Sequence, residues 1–120
     1  MAKYFDNDEI TCNCGCERGL EEISPILLER LDRLRELWGK PIYVSCMYRC
    51  PQHNRDVGGV ENSQHVYGKA ADIFVNSDYH AFYNFIINSE LFDGVGYYPD
   101  EEFVHVDVRD DGLNGNGYRW

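Results

Sequence analysis

The sequence predicts a single α+β domain, residues 1–120, in which helices flank a mainly antiparallel sheet. Three observations support this prediction. The chain has 120 residues, which is the length of one domain. Two of its segments repeat apolar residues at helical spacing. Four other segments are short, apolar and bounded by turn residues, as the strands of such a sheet are.

Two helices are predicted after an irregular, cysteine-containing arm at residues 1–22. The first begins at Ser24-Pro25, because serine is a good N-cap and proline suits the first helical turn. It ends at Gly39, and its apolar positions are Leu27, Leu31, Leu34 and Trp38. The second helix is capped by Asp78, and its core-facing positions are Tyr79, Phe82, Phe85 and Ile86.

The predicted strands are Ile42–Cys46, Ala70–Val75, Gly94–Tyr98 and Phe103–Val108. A short acidic turn joins the last two. Residues Asn54–Asn62 include two adjacent glycines and are predicted to form a loop. The Gly/Asn-rich tail, Asp110–Trp120, ends in an aromatic residue that is predicted to pack back on the domain.

Composition disfavours several classes of partner. The net charge of −10 disfavours nonspecific binding to nucleic acid, whose affinity comes largely from Lys and Arg neutralising phosphates. No apolar run approaches the roughly 20 residues that cross a bilayer. The N-terminus carries acidic residues where a signal peptide needs an apolar core. We therefore expect a monomer that is made in the cytoplasm and has neither a nucleic acid nor a membrane as its partner.

Five cysteines leave three alternatives open. They are Cys12, Cys14, Cys16, Cys46 and Cys50. An odd count without a signal peptide argues against a complete disulfide framework. Zinc sites usually combine two pairs of ligands at C-x2–4-C spacing, which Cys12 and Cys16 satisfy loosely, with Cys46 and Cys50 as a second pair. A structural zinc, on Cys12, Cys14, Cys16 and Cys50 for example, a disulfide and free thiols are all compatible with this pattern.

Three residues have the composition of a catalytic zinc site. The stretch SQHVYGKAAD places His65 and Asp72 near its two ends, with small residues between them. His105 lies in the last predicted strand, where it shares a face with Phe103 and Asp107 while the valines face the core. Two histidines and one aspartate leave a fourth zinc position for water, whose pKa the metal lowers to about 7.

A carboxylate must then take and deliver a proton, and two acids beside His105 are candidates. Glu102 precedes His105 by three residues, and Asp107 follows it by two. The spacing does not choose between them. Asp107 is compatible with catalysis or with a hydrogen bond that orients a neighbouring group. Another of the four histidines of the chain, His80, is predicted to lie on the polar face of a helix.

The motif around His65 resembles that of a known family. Ser63-x-His65-x-x-Gly68-x-Ala70-x-Asp72 is similar to the S-x-H-x-x-G-x-A-x-D motif of the zinc D-Ala-D-Ala carboxypeptidases, which belong to the lysostaphin, D-Ala-D-Ala peptidase and hedgehog fold group. Glu102-Phe103-Val104-His105 matches their second motif, and Ser45–Asn54 resembles the segment that precedes the first motif in small members. The resemblance covers about residues 20–110.

The resemblance implies zinc ligands at His65, Asp72 and His105 and a general base at Glu102, for which Asp107 is the alternative. It also implies that Arg49 binds a carboxylate or carbonyl of the substrate, a role that suits its planar, charged fork. The alternative for Arg49 is a buried salt bridge. Ser63 is expected to contact the substrate.

Three functional hypotheses follow. The leading one is a zinc metallopeptidase that hydrolyses peptidoglycan stem peptides, as a D,D-carboxypeptidase or a related endopeptidase. Without a signal peptide, such an enzyme is expected to reach the cell wall by release from the cytoplasm, as a phage or prophage lysin does. The second is a non-catalytic, zinc-containing module of the same fold that binds a peptide or protein. The third is a cysteine-centred protein that holds a second metal or senses redox state.

Overall fold

A computed structural model describes residues 3–16, 18–60, 63–113, 115 and 117–120. The helices are α1 Asn7–Ile10, α2 Pro25–Trp38, α3 Pro51–Asp56 and α4 Tyr79–Ser89, and a 3-10 turn spans Pro99–Glu101. The strands are β1 Tyr43–Cys46, β2 Ala70–Phe74, β3 Gly94–Tyr98, β4 Phe103–Asp107 and β5 Tyr118–Arg119. The predicted α+β class is confirmed. No helix in the described ranges is long and apolar enough to cross a membrane.

Both long helices begin where the sequence predicts, and α2 also ends at its predicted residue. The Ser24 hydroxyl accepts the N–H groups of Ile26 and Leu27, and Asp78 caps α4 in the same way. Helix α2 ends at Gly39, whose φ of 75° is the left-handed conformation that glycine tolerates best. The apolar faces of these helices are buried through Leu27, Leu28, Leu31 and Leu34 of α2 and through Phe82 and Ile86 of α4.

The five strands form one sheet in the order β1-β2-β4-β3-β5. Every pairing is antiparallel except that of β3 with β5. Strand β5 lies in the tail, which therefore packs back on the domain as predicted: the Tyr97 N–H donates to the Trp120 carbonyl at 2.9 Å. The predicted mainly antiparallel sheet is confirmed, and the short fifth strand is an addition to it.

One face of the sheet is apolar and packs on the core. The opposite face carries His105 and Asp107, and we call it the functional face. Ile73, Val95, Val104 and Val106 are fully buried in the core that also holds α2 and α4. The alternate residues of the same strands point to the other face, since successive side chains of a strand alternate. His105 and Asp107 lie on this second face, as the alternation of valines in β4 predicts.

The N-terminal arm differs from its prediction. Residues Asn7–Ile10 form one helical turn, in which Asp6 and Glu9 exchange backbone and side-chain hydrogen bonds as a capping box. Phe5, Ile10 and Cys12 of the arm are buried in the core. The turn is too short for apolar periodicity to show it, and the capping box was its only signal.

Helix α3 replaces part of the predicted loop Asn54–Asn62, of which residues 61 and 62 lie outside the described ranges. Its first residue is Pro51, and the sulfur of Cys50 accepts the His53 N–H at 3.4 Å. Cys50 thus takes the N-cap position before a proline, as Ser24 does before Pro25. The sequence reading missed this parallel because cysteine is not a usual N-cap residue.

Candidate metal centre

One predicted ligand, Asp72, contacts the other two on the functional face of the sheet. The Asp72 Oδ1 atom lies 3.2 Å from His65 Nε2 and 3.1 Å from His105 Nδ1. Asp72 and His105 are direct partners across β2 and β4, whereas His65 comes from the turn that precedes β2. A tetrahedral zinc with bonds of about 2.0–2.1 Å holds such atoms about 3.3 Å apart. The donor set therefore fits zinc in its chemistry, and the two distances to Asp72 fit the spacing of zinc ligands.

His65 is fixed by a backbone carbonyl. The side chain is buried, and its Nδ1 donates to the Met47 carbonyl at 2.7 Å, so that Nε2 faces Asp72. A histidine ligand that gives its other nitrogen to a carbonyl has a set tautomer and ring orientation. Burial lowers the pKa of His65, but the Asp72 carboxylate and Cys46 outweigh it and raise that pKa to about 10. A proton and a metal ion compete for this nitrogen.

Asp72 supplies the negative charge of the centre. Its side chain is mostly buried, and burial alone raises the pKa of a carboxyl group. The hydrogen bonds from His105 and His65 overcome that effect and hold the pKa of Asp72 well below its ordinary value. Asp72 is therefore ionised at neutral pH and available as a ligand.

His105 is oriented by an ion pair behind it. Its Nε2 lies 2.9 Å from the Oδ2 atom of Asp107, which leaves Nδ1 directed at Asp72. Asp107 is fully buried, and the Arg109 guanidinium donates to both of its oxygens at 3.0 and 2.7 Å. Burial opposes ionisation of Asp107, yet the bonds from His105 and Arg109 lower its pKa to about 2.

A row of cross-strand partners runs through the centre. Cys46 on β1 pairs with Asp72, Asp72 with His105, and His105 with Gly96 on β3. Directly opposed residues of neighbouring strands present their side chains on the same face. The sulfur of Cys46 accordingly lies 3.7 Å from His65 Nδ1. The use of Cys46 and Cys50 as one zinc pair is therefore wrong: a strand directs Cys46 to this centre, while Cys50 caps α3.

Glycines beside the centre make room for its polar groups. A Cβ atom on Gly94 would collide with the Asp107 carboxylate, and one on Gly96 would meet the indole of Trp120 at 2.6 Å. That indole lies 5.1 Å from the His105 ring, centroid to centroid. Trp120 therefore forms a wall of the centre, and the glycines of β3 leave room for this indole and for Asp107.

Glu102 lies between the 3-10 turn and the first residue of β4. It is exposed, it follows the 3-10 turn with a φ of 61°, and its carbonyl accepts the Tyr79 hydroxyl at 2.7 Å. Among the described residues, the acid hydrogen-bonded to His105 from within β4 is Asp107, not Glu102. Because the backbone of Glu102 is in the left-handed conformation, the side-chain alternation of β4 does not extend back to this residue.

Arg49 and Ser63 both border the centre, in different ways. The Arg49 guanidinium donates to Asn54 Oδ1 at 2.9 Å and lies 3.7 Å from Cys46 Sγ, and no carboxylate of the described residues forms a salt bridge with it. The alternative of a buried salt bridge is thus not supported within that part of the chain. Ser63 is buried, and its hydroxyl accepts the His65 N–H at 3.3 Å. Its predicted contact with substrate stays a prediction.

Comparison with known proteins places this domain in a family. A family profile described as Peptidase M15 matches residues 3–107. This chain belongs to the peptidase M15 family. The resemblance drawn from the motif around His65 is confirmed. The M15 match also includes most of the N-terminal arm.

Curated relatives of this M15 chain carry one name. Peptidoglycan L,D-endopeptidase MepK from Escherichia coli (strain K12) and from Shigella flexneri are each 32% identical to it over 96 residues. The alignment covers 74% of this chain and 53% of each relative. The chain therefore spans about half the length of the curated relatives it matches.

Sequence reasoning missed several residues that support the metal centre. Arg109 follows Asp107 by two positions, just beyond the end of β4, and this spacing was an available signal. Gly94 and Gly96 read only as strand residues, although interior glycines often mark a close approach. The Met47 carbonyl that anchors His65 has no sequence signal at all, because every residue has a carbonyl group.

Proposed function

We propose that this chain is a zinc-dependent peptidase that hydrolyses peptidoglycan stem peptides. The observation that carries the proposal is the position of Asp72 Oδ1, within 3.2 Å of a nitrogen from each of His65 and His105. Membership of the peptidase M15 family supports the reaction class. The name of the MepK relatives supports the substrate class.

Zinc, when bound by His65, Asp72 and His105, would supply a Lewis acid and a water of lowered pKa. The chain holds these ligands ready. The Met47 carbonyl fixes His65, and the Asp107–Arg109 pair fixes His105. Such partners of metal ligands are worth about 10–100-fold in metal affinity or activity. Asp107 thus has a positioning role in this proposal.

Glu102 is the general base in this proposal, and it passes the proton of the attacking water to the leaving amine. Asp107 suits that role poorly, because both of its oxygens accept hydrogen bonds and its pKa is lowered to about 2. The exposed Glu102 lies three residues before His105 in sequence, on the segment that enters β4.

Arg49 binds a carboxylate or carbonyl of the substrate in this proposal. Its guanidinium lies 3.7 Å from Cys46 Sγ, which neighbours His65, and its backbone N–H donates to the His65 carbonyl at 3.2 Å. A planar guanidinium beside the reacting bond would orient an anionic peptide. Ser63 supports the turn that carries His65 and borders the same space.

The bond cut is either the terminal one, as in a D,D-carboxypeptidase, or an internal one, as in the L,D-endopeptidase relatives. The site of action would be the cell wall. Incubation of the zinc-loaded protein with defined muropeptides, followed by mass spectrometry, identifies the bond. Loss of a single terminal residue indicates the carboxypeptidase, and two peptide fragments indicate the endopeptidase.

The Glu102→Gln variant tests the mechanism. We expect it to lose hydrolysis by at least about 100-fold, since a positioned acid–base group contributes about 10²–10⁴-fold. Its zinc content should be unchanged, because Glu102 is not a ligand. The matched comparison is Asp107→Asn, which should lower both activity and zinc affinity by about 10–100-fold.

Two outcomes contradict this assignment. Full activity of Glu102→Gln with complete loss in Asp107→Asn would transfer the base role to Asp107. A wild-type protein that binds zinc and peptide tightly but cuts none of the muropeptides would be a binding module of the same fold.

A further inference from the structure

Four cysteine sulfurs meet on the side of the domain where the arm contacts the segment before α3. Cys12, Cys14 and Cys16 come from the arm, and Cys50 comes from the N-cap of α3. All four sulfur atoms lie within 4.8 Å of one another. We call these four residues the cysteine cluster. The residues that act in the proposed peptidase reaction do not include any of them.

The sulfur spacing distinguishes a metal site from a disulfide. Cys14 Sγ lies 3.4 Å from Cys12 Sγ and 3.7 Å from Cys50 Sγ. Zinc–sulfur bonds of about 2.3 Å place the sulfurs of a tetrahedral site about 3.8 Å apart. A disulfide needs about 2.05 Å, and all five cysteines are free in the structure. These two distances, together with the 4.8 Å limit on the others, suit four sulfurs around one ion better than a disulfide.

The backbone around the cluster is shaped for thiolates. The Cys50 N–H donates to Cys12 Sγ at 3.4 Å, and the His53 N–H donates to Cys50 Sγ at the same distance. Hydrogen bonds of this kind stabilise negative charge on sulfur and orient metal ligands. Gly15 has a φ of 84°, which lets the chain reverse between Cys14 and Cys16.

We propose that Cys12, Cys14, Cys16 and Cys50 bind a structural zinc ion, separate from the centre at His65, Asp72 and His105. Four protein ligands fill the zinc coordination and leave no position for water, which is the pattern of a structural site. Cys46 does not belong to it, since its sulfur contacts His65 and Arg49 instead.

This zinc joins the arm to the segment that orients His65. The Tyr48 N–H donates to the Ile10 carbonyl at 3.0 Å, so the arm and residues 47–50 already pair through the backbone. Met47 in that segment gives the carbonyl that fixes His65. A metal on the cluster would hold both ends of this contact. It would therefore stabilise the segment whose Met47 carbonyl orients His65.

Alkylation of the native protein tests the proposal. Cys14 and Cys16 are exposed, so burial cannot protect their thiols. We expect the zinc-loaded protein to keep all four cluster cysteines unmodified by iodoacetamide, as peptide mass spectrometry reads it, and chelation to make Cys14 and Cys16 reactive. Rapid alkylation of Cys14 and Cys16 at full zinc occupancy would overturn the proposal. So would an intact mass lower by the two hydrogens of a disulfide.

Metal counting with matched variants gives a second readout. Cys14→Ser should lower bound zinc from about two ions per chain to about one and abolish the thiolate-to-metal charge-transfer band of the cobalt-substituted protein. Cys46→Ser is the control, and it should retain that band. If Cys14→Ser fails to fold, the alkylation of the wild type still decides. A charge-transfer band lost in Cys46→Ser and kept in Cys14→Ser would refute the cluster.

These results are independent of the peptidase reaction. A chain without hydrolytic activity can still protect its cluster cysteines, and an active peptidase can have reactive ones. Zinc content and thiol protection therefore test the cluster, while muropeptide cleavage tests the proposed function.

Discussion

The two candidate metal sites are built from opposite kinds of structure. The centre at His65, Asp72 and His105 takes two of its three ligands from paired strands in the middle of the sheet. The cysteine cluster takes its ligands from the arm and from the first turn of a six-residue helix. Every ligand of the first site is largely shielded from solvent, whereas two of the four cysteines are exposed.

This difference teaches how much each site depends on its ion. Asp72 and the two histidines are held by sheet hydrogen bonds, the Met47 carbonyl and Asp107, so their geometry exists before metal binds. The cluster has few such supports, and four thiols that approach one another gain little without an ion between them. A catalytic site needs preorganised ligands, while a structural site derives part of its folding free energy from the metal.

The largest expected effect follows from His105→Ala. Hydrolysis should fall to background, because one of three ligands is lost along with its contacts to Asp72 and Asp107. Zinc per chain should fall by about one, while the zinc held by the cysteines remains. Activity assays and metal analysis of the same preparation measure both quantities.

His80→Ala is the matched control for this variant. His80 is exposed on α4, as the sequence predicts, and it should change neither activity nor zinc content. If His105→Ala also released the second ion, the two sites would be one cooperative unit, and the comparison between them would break down.

The next largest effect concerns removal of all metal by a chelator. Amide exchange should accelerate at Tyr48 and Cys50, whose N–H groups join the segment before α3 to the arm. It should also accelerate at Cys12, whose N–H donates to the Arg18 carbonyl within the arm. We expect at least about a tenfold increase there, equivalent to about 1.4 kcal/mol of local opening free energy. The amides of β2 and β4 should keep their protection, because the sheet does not depend on the ion.

Hydrogen exchange with mass spectrometry of the zinc-loaded and chelated protein measures this contrast. Equal acceleration in the cluster segments and in β4 would show that the central site also needs its metal. No acceleration in either region would show that the arm is held by packing of Phe5 and Ile10 alone.

The sequence predicted most of what local chemistry determines. The helix starts at Ser24 and Asp78 follow from capping, and the two faces of β4 follow from its alternating valines. Residue types and strand alternation suggested grouping His65 and Asp72 with His105, 33 positions beyond Asp72. The resemblance strengthened that grouping, because no pattern within the chain determines which strands are neighbours. Helix α1 and helix α3 were missed because each is shorter than the window over which periodicity is visible.

The sequence could not divide the five cysteines between two sites. Cys46 and Cys50 are four residues apart, which suits a zinc pair, yet β1 ends between them and sends Cys46 to the row that contains Asp72. Register across the sheet decides this, and register is a tertiary property. Likewise, the spacing of Arg109 and Asp107 could be seen in the sequence. The burial of Asp107, which strengthens their ion pair, could not.

The remaining prediction concerns Gly94→Ala, which probes whether the strands preorganise His105 through Asp107. The new methyl group would press on the buried Asp107 carboxylate, and overpacking of this kind costs about 1–3 kcal/mol of unfolding free energy. Gly96→Ala is the control on the same strand: its methyl group would meet the indole of Trp120, which is half-exposed and therefore has room to move aside. Urea unfolding and zinc titration of both variants should show the larger losses for Gly94→Ala. Equal stability and equal zinc affinity would mean that the Asp107 carboxylate can shift freely, and His105 would then owe its orientation to the metal, as the cysteines do.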